Sequence, residues 1–439
     1  MGIINTHYSD TGFAEFVHNP TDITYEYLKE WFSGASSLGL SMSLLGLPYS
    51  PLKEPVVEHV ENALVVNLDT QYKTLYEDTT FKYSGVRDGS DQKMVFDITK
   101  AFIPTKVLNT FKIISVQAGW ISKPVETLEF CKKLYEETPW VSESDISQIE
   151  EILKLDIWPK VFALAHISEF YNQLIQNEAQ SDFPQIQNYI SKKQLEHDWY
   201  AHSIYDQKLV NDGKMSFETF IKEYGIRADK DYELTCPRWY EIPDIILQRI
   251  ESYSSVDRTP IADTQVYEQS SEKLKTLINT EIELQIIRSQ VKRKALNAIN
   301  ILRQKLLSES KLTPTPTPTP TPTNVLKEKK SITPDASPIN PGRGVSMGTV
   351  LGTVHHIKSA ADEIPDGTIG VFPNASPEFS FQYPKCNGMI FLTGGTTSHG
   401  AIVAREFGIP AIINDSAVSL EEGIHVRING ETGDFSLIN

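Results

Sequence analysis

The stretch "TPTPTPTPTPT", Thr313 to Thr323, constrains this chain more than any other segment. Every second residue is proline, which has no amide hydrogen and a fixed φ, so the tract joins neither a helix nor a central strand. Polyproline II is expected, and its 11 residues at about 3.1 Å each make a semi-rigid spacer of roughly 34 Å. The basic NVLKEKK and the proline-bearing SITPDASPINPG carry the linker on to about Gly342. A Thr-Pro run also reads as an O-glycosylated stalk, but that requires secretion. The opening MGIINTHYSD has neither a basic n-region nor an apolar core, and fits only the loose M-G-x-x-x-T myristoylation pattern. No run of 18 apolar residues offers a membrane span. The expectation is a cytoplasmic, multidomain chain, with residues 1–310, a Thr-Pro-rich linker at 311–341 and a compact domain at 342–439.

Charge and cysteine content narrow the class. A net charge of -16 argues against nucleic acid or an anionic membrane as partner, since both need clustered Lys and Arg. Cys131, Cys236 and Cys386 are far apart and form no C-x-x-C pair, so no zinc site or disulfide framework is expected. His355 and His356 adjoin, but alternate sides of a strand point them apart, and no metal site is expected.

The N-terminal region reads as mainly α-helical α+β. Residues 1–60 look irregular and aromatic-rich, and VENALVVNLDTQYKTLYE and MVFDIT alternate like strands. Helical spacing governs PVETLEFCKKLYEE, SDISQIEEILKLDIWPKVFALAHISEFYNQLIQ and SFETFIKEYG. Asp263 to Ser308 reads as one long helix with an apolar stripe from Leu274 through Ile299 to Leu306, to be packed against other helices. The C-terminal domain changes rhythm. Short runs (MGTVLGTVHHI, GTIGVFP, GMIFLT, PAIIN, HVRING) predict strands, one helix follows His399, and N-G-x-x-G predicts a closing hairpin. This is a small α/β domain.

His399 therefore lies where a buried strand turns into a helix. Gly394 and Gly395 permit tight backbone paths, and Thr396, Thr397 or Ser398 can cap the helix. Free amides and the helix dipole at such an end favour an anion, of which a phosphoryl group is the commonest. Neutral imidazole is a competent phosphoryl acceptor. From chemistry alone a phosphohistidine and a structural or capping histidine both stand, with a metal ligand well behind for want of partners.

The segment TGGTTSHGAIVAREFGIPA resembles the signature of the swivelling phosphohistidine domain of phosphoenolpyruvate (PEP)-utilising enzymes. That domain occurs in PEP synthase, pyruvate phosphate dikinase, the first enzyme of the sugar phosphotransferase system and rifampin phosphotransferase. The resemblance runs through Gly394, Gly395, Thr397, Ser398, His399, Ala401, Ile402, Ala404, Arg405, Glu406 and Gly408 to Ala411. It implies that His399 carries the phosphoryl group and that Arg405 and the helix-start residues stabilise it. Gly400 stands where alanine is usual, at a cost in helix preference only.

A second stretch, YGIRADKDYELTCPRWYEIP, resembles the substrate domain of the rifampin phosphotransferase and synthase-like group through Arg227, Asp231, Glu233, Pro237, Arg238, Trp239 and Glu241. Ile226 replaces the usual histidine and Ala228 the usual glycine. Two readings stay open for Arg227, Asp231, Glu233, Arg238 and Trp239: a site for a phosphoryl group or acidic substrate, or a buried ion-pair network. No G-x-x-x-x-G-K-[ST] loop and no glycine-rich, lysine-bearing stretch resembling an ATP-grasp module precede Tyr224. By resemblance to the split phenylphosphate synthase arrangement, the expectation is a dikinase-type phosphotransferase subunit. An ATP-grasp partner binds Mg2+ and ATP and charges His399, and a small-molecule acceptor takes the phosphoryl group. The other expectation is a non-catalytic phosphohistidine regulator or carrier.

Overall fold

The computed structural model describes residues 7–8, 20–60, 63–84, 93–97, 100–101, 103–142, 145–195, 197–251, 264–314, 342–358, 362, 364–365, 368–376, 379–380, 382–395 and 398–438. Thr397 and most of the Thr-Pro tract, from residue 315 to residue 341, lie outside these.

The N-terminal region is a helical body with small β additions. Strands β1 (His7–Tyr8), β2 (Val57–Val60) and β3 (Ala63–Asn67) form one sheet in the order β1-β3-β2, and β4 (Phe81–Ser84) pairs with β5 (Lys93–Phe96). Its helices are α1 (Asp22–Trp31), α2 (Ser37–Leu44), α3 (Leu68–Leu75), α4 (Pro104–Ser122), α5 (Pro124–Glu137), α6 (Ile146–Ile152), α7 (Trp158–Ala179), α8 (Phe183–Leu195), α9 (Trp199–Asn211), α10 (Phe217–Tyr224), α11 (Pro243–Glu251), α12 (Thr264–Gln269) and α13 (Glu272–Ser308).

Three expectations need correction. Residues 20–60 are not irregular, the expectation for 1–6 and 9–19 lying outside the described residues: α1 and α2 seat Trp31 and Phe32 on Trp158 and Phe162 of α7. The alternating run after Glu61 is a strand only as far as Asn67. Its side chain then accepts a hydrogen bond from the Thr70 amide at 2.9 Å and starts α3. The long helix predicted from Asp263 is broken, because Ser271 caps a fresh start through the Leu274 amide at 3.1 Å. The segment leading into α7 keeps its predicted helical character but passes through a π-turn, Leu153–Ile157, just before Pro159. That wider turn takes up a proline with no amide to give.

Helix α13, with 37 residues at 1.5 Å rise each or about 55 Å, is the spine of the body and packs against α5, α7 and α8. Leu277, Ile287, Val291, Ile299 and Leu306 of the predicted stripe are buried. Lys294 reaches from the spine to the end of α5, donating to the Tyr135 and Thr138 carbonyls at 2.7 Å each. A cation on the last carbonyls of a helix satisfies groups the helix leaves open.

The C-terminal domain is a seven-stranded sheet in the order β12-β11-β7-β8-β9-β10-β6. The strands are β6 (Arg343–Ser346), β7 (Thr349–His356), β8 (Thr368–Phe372), β9 (Gly388–Phe391), β10 (Ala411–Ile413), β11 (His425–Asn429) and β12 (Asp434–Leu437). β7 to β10 run parallel, while β6, β11 and β12 add antiparallel edges, with β11 and β12 forming the predicted hairpin. The period of two splits the core. Met389 and Phe391 face α14 (His399–Glu406), whereas Ile390 faces the opposite layer with Val354, Val371 and Val426.

Candidate functional site

The strand-to-helix turn is built from backbone bonds. Beyond β9, Thr393 donates through Oγ1 to the Pro373 carbonyl at 3.0 Å. Gly394 then sits at φ +154°, where a Cβ would meet the Ala375 methyl at 3.2 Å. Ser398 occupies the N-cap position with extended angles, φ -68° and ψ 157°. Its hydroxyl turns back to the Gly395 carbonyl at 2.7 Å instead of capping the helix. His399 is the first residue of α14.

The expectation of wholly free amides at this end is revised at one residue. Gly400 donates its amide to the Ala375 carbonyl at 2.9 Å, fastening the helix start to the loop after β8. Its departure from alanine also acquires a reason. A Cβ at position 400 would lie 2.8 Å from the Phe391 ring and 2.9 Å from the Tyr383 hydroxyl, so the aromatic pair fills that space.

Arg405 lies in the last turn of α14 and is buried. Nη1 donates to the Val345 carbonyl of β6 at 3.0 Å, and Nε to Ser191 Oγ of α8 at 2.8 Å. The residue expected to stabilise the phosphoryl group thus braces, in this arrangement, the His399 helix against the helical body. The contact borders a small polar cleft lined by Gln187, Ser191, Gln194, Glu281, Gln285 and Arg405, with Ile190 and Ile402 beside it.

Glu281 is the group that sequence reasoning missed. Its Oε1 accepts from Ser168 Oγ at 2.8 Å and Gln285 Nε2 at 2.6 Å, while Oε2 is buried with no partner among the described residues. Burial pushes its carboxyl up to about 8. A signal was present: Glu281 and Gln285 continue the spacing of Leu274 and Ile278, so they fall in phase with an apolar stripe.

The second candidate cluster is closed. Arg227 is fully buried, its Nε and Nη2 donate to Asp231 Oδ2 at 3.2 and 3.1 Å, and Asp231 Oδ1 accepts the Ala228 amide at 2.8 Å. The Arg227 guanidinium lies 5.0 Å from the Trp239 ring centre and 5.1 Å from that of Tyr200. Arg238, also fully buried, donates Nη1 to the Asp231 carbonyl at 2.6 Å, and burial lowers its pKa. Glu233 accepts from the amide and hydroxyl of Thr21 at 2.9 and 2.8 Å, holding the start of α1. Trp239 stacks on Phe220 at 6.0 Å. The expectation of a substrate-facing pair therefore meets one buried ion pair, Arg227–Asp231, beside a buried Arg238 whose Nε and Nη2 have no partner among the described residues.

His355 pairs with Glu422, and His356 bonds through Nε2 to the Leu420 carbonyl at 2.7 Å. Among the described residues no three His, Cys, Asp or Glu side chains gather as a metal site, and no helix is long and apolar enough to cross a membrane.

Comparison with known proteins falls on these same two regions. Residues 364–433 match the mobile domain of PEP-utilising enzymes. The C-terminal domain belongs to that family. Residues 183–304, from the first turn of α8 to near the end of α13, match the fourth domain of rifampicin phosphotransferase. Helix α14, inside the first match, thus rests on α8, the first helix of the second. The chain is 30% identical over 95 residues to rifampicin phosphotransferase of Bacillus subtilis, covering 21% of this chain and 11% of that protein. It is 32% identical over 103 residues to PEP synthase of Pyrococcus furiosus, covering 23% and 13%. Against PEP-protein phosphotransferase of Haloferax volcanii it is 36% identical over 76 residues, covering 16% and 14%. The chain aligns with only about a tenth to a seventh of these relatives' lengths.

Proposed function

We propose that the chain is the histidine-bearing phosphotransferase subunit of a split dikinase-type system working in the cytoplasm. Mg2+ and ATP are held by an ATP-grasp partner. The neutral imidazole of His399 attacks the β-phosphorus of ATP, and a nitrogen–phosphorus bond forms as the β-phosphorus–oxygen bond to AMP breaks. Water then takes the γ-phosphoryl group as phosphate, leaving one phosphoryl group on His399. An oxygen of a small-molecule acceptor then takes the phosphoryl group, its proton leaves, and the imidazole is regenerated. The observation that carries this reading is His399 at the first position of α14, behind the Gly394 turn, inside the mobile-domain match.

Positioning and charge neutralisation supply most phosphoryl-transfer catalysis. Gly395 and Ser398 shape the loop that presents the group, and Arg405 becomes available to it when α14 leaves α8. The acceptor is read by the helical body, where Arg227 and Arg238 hold the architecture rather than touch the acceptor. The test is incubation of the chain with its ATP-grasp partner and β-labelled ATP. Acid-labile, base-stable label should appear on the wild type and vanish in His399→Ala; label that persists in that variant refutes the assignment.

A second reading, a phosphohistidine carrier or regulator that catalyses no transfer of its own, is favoured by one observation. The Arg227–Asp231 network is sealed, and Ile226 stands where relatives have histidine. Discharge of labelled His399 onto an added small acceptor, without a further protein, decides against it.

A further inference from the structure

Helix α4 is apolar on two sides. The inner side buries Thr110, Ile113 and Trp120. The outer side leaves Leu108, Phe111, Ile114 and Ile121 exposed at 69%, 64%, 49% and 44%, and Val125, just past the break into α5, at 67%. Single apolar residues on a surface need no explanation, but a continuous row does. Phe111, Ile114, Ala118, Ile121 and Val125 recur at intervals of three, four, three and four residues. That is the spacing of a coiled-coil seam.

We propose that this seam packs against a second copy of the chain, with the two α4 helices antiparallel. The row is complementary to itself. With the twofold axis level with Val116, Phe111 meets the second copy's Ile121 and Ile114 meets the second copy's Ala118, which is the pairing antiparallel helices require. Each layer sets a larger side chain against a smaller one, and Ala118 makes the room at the centre.

Charge selects the occupant. Two chains of net charge -16 repel over most of their surfaces. Yet α4 carries Lys106 and Lys112 and no acidic residue, and Ser115, Gln117 and Ser122 flank the seam. Self-pairing here opposes no carboxylate to another. The exposed row amounts to on the order of 600 Å² per copy, the upper end of a monomer's largest patch. Two copies together reach roughly 1,200 Å², the lower bound of specific interfaces.

Sedimentation velocity on the full chain, from about 1 to about 100 µM, reads the outcome. Wild type should dimerise. Phe111→Glu, Ile114→Glu and the solvent-facing Ala118→Lys should each weaken association at least about tenfold while keeping the wild-type circular dichroism. On a Cys236→Ser background, Ile114→Cys mixed with Ala118→Cys should oxidise to a mixed dimer more readily than either variant alone. A wild type that stays monomeric throughout, a dimer that survives all three seam substitutions, or cross-linking with no preference for the mixed pair overturns the proposal. A monomeric wild type that loses its ATP-grasp partner on Phe111→Glu would give the seam to that partner instead.

Discussion

Glu281 shows what a single residue reports that its neighbours in sequence do not. In the folded chain its carboxyl keeps its proton to about pH 8, and in the unfolded chain it loses that proton near pH 4.3, to within about a unit. Between those values the folded state holds one proton more, so stability falls as pH rises across the window, and the loss is complete above it. Glu281→Gln carries no such linkage. Relative to wild type it should gain stability steadily between about pH 5 and about pH 8.5, read from urea midpoints at both ends. A wild-type-to-variant difference that does not change with pH would remove the buried neutral carboxyl from the site. Gly400 makes the parallel point about legibility. Its sequence neighbours predict only a weaker helix start, because the Phe391 and Tyr383 atoms that occupy the Cβ position come from β9 and the turn before it. His399 was legible because glycine spacing, strand and helix are all local signals; the Ala375 carbonyl that takes the Gly400 amide is not.

At the scale of elements, legibility followed propensity. Helix α5 starts at Pro124 and ends at Glu137, as its proline start and apolar spacing predict. Helix α2, SLGLSMSL, is rich in serine with a central glycine, and by propensity it is a poor helix. Packing against α7 decides its form, and that information lies more than a hundred residues away. The contact of α8 with α14 is tertiary in the same sense, since nothing in either helix names the other. It includes a hydrogen bond between bodies, Arg405 to Ser191, beside the bond that Arg405 keeps to Val345 in its own domain. Ser191→Ala removes the first and spares the second, and should cost about 1 kcal/mol. Arg405→Ala removes both and leaves a buried carbonyl unpaired, a loss of about 1–3 kcal/mol or more. If the helices rest together in solution, the double variant should be less destabilised than the sum, with a coupling of about 0.5–3 kcal/mol. Strict additivity in chemical denaturation would mean that the two bodies do not share this contact.

At the scale of the whole molecule the question is how one histidine serves two places. With α14 held on α8, Arg405 is occupied, so the proposed charging and discharging of His399 would each call for the C-terminal domain to leave this seat. The helical body ends at α13, the carrier begins at β6, and the Thr-Pro tract lies between them in sequence. A polyproline II spacer keeps its ends apart and leaves hinges at its non-proline flanks. Gly/Ser replacement of Thr313 to Thr323 at equal length should still support transfer, because a random coil has shorter but adaptable reach and a high effective concentration. Deletion of the tract removes roughly 34 Å of reach. It should spare at most one half-reaction, either charging of His399 by the ATP-grasp partner or discharge to the acceptor. Single-turnover rates of each half on the deletion variant are the measurement. Wild-type rates for both would show that the Thr-Pro tract is not the arm on which the carrier turns, and would move the hinge to the residues just before Gly342.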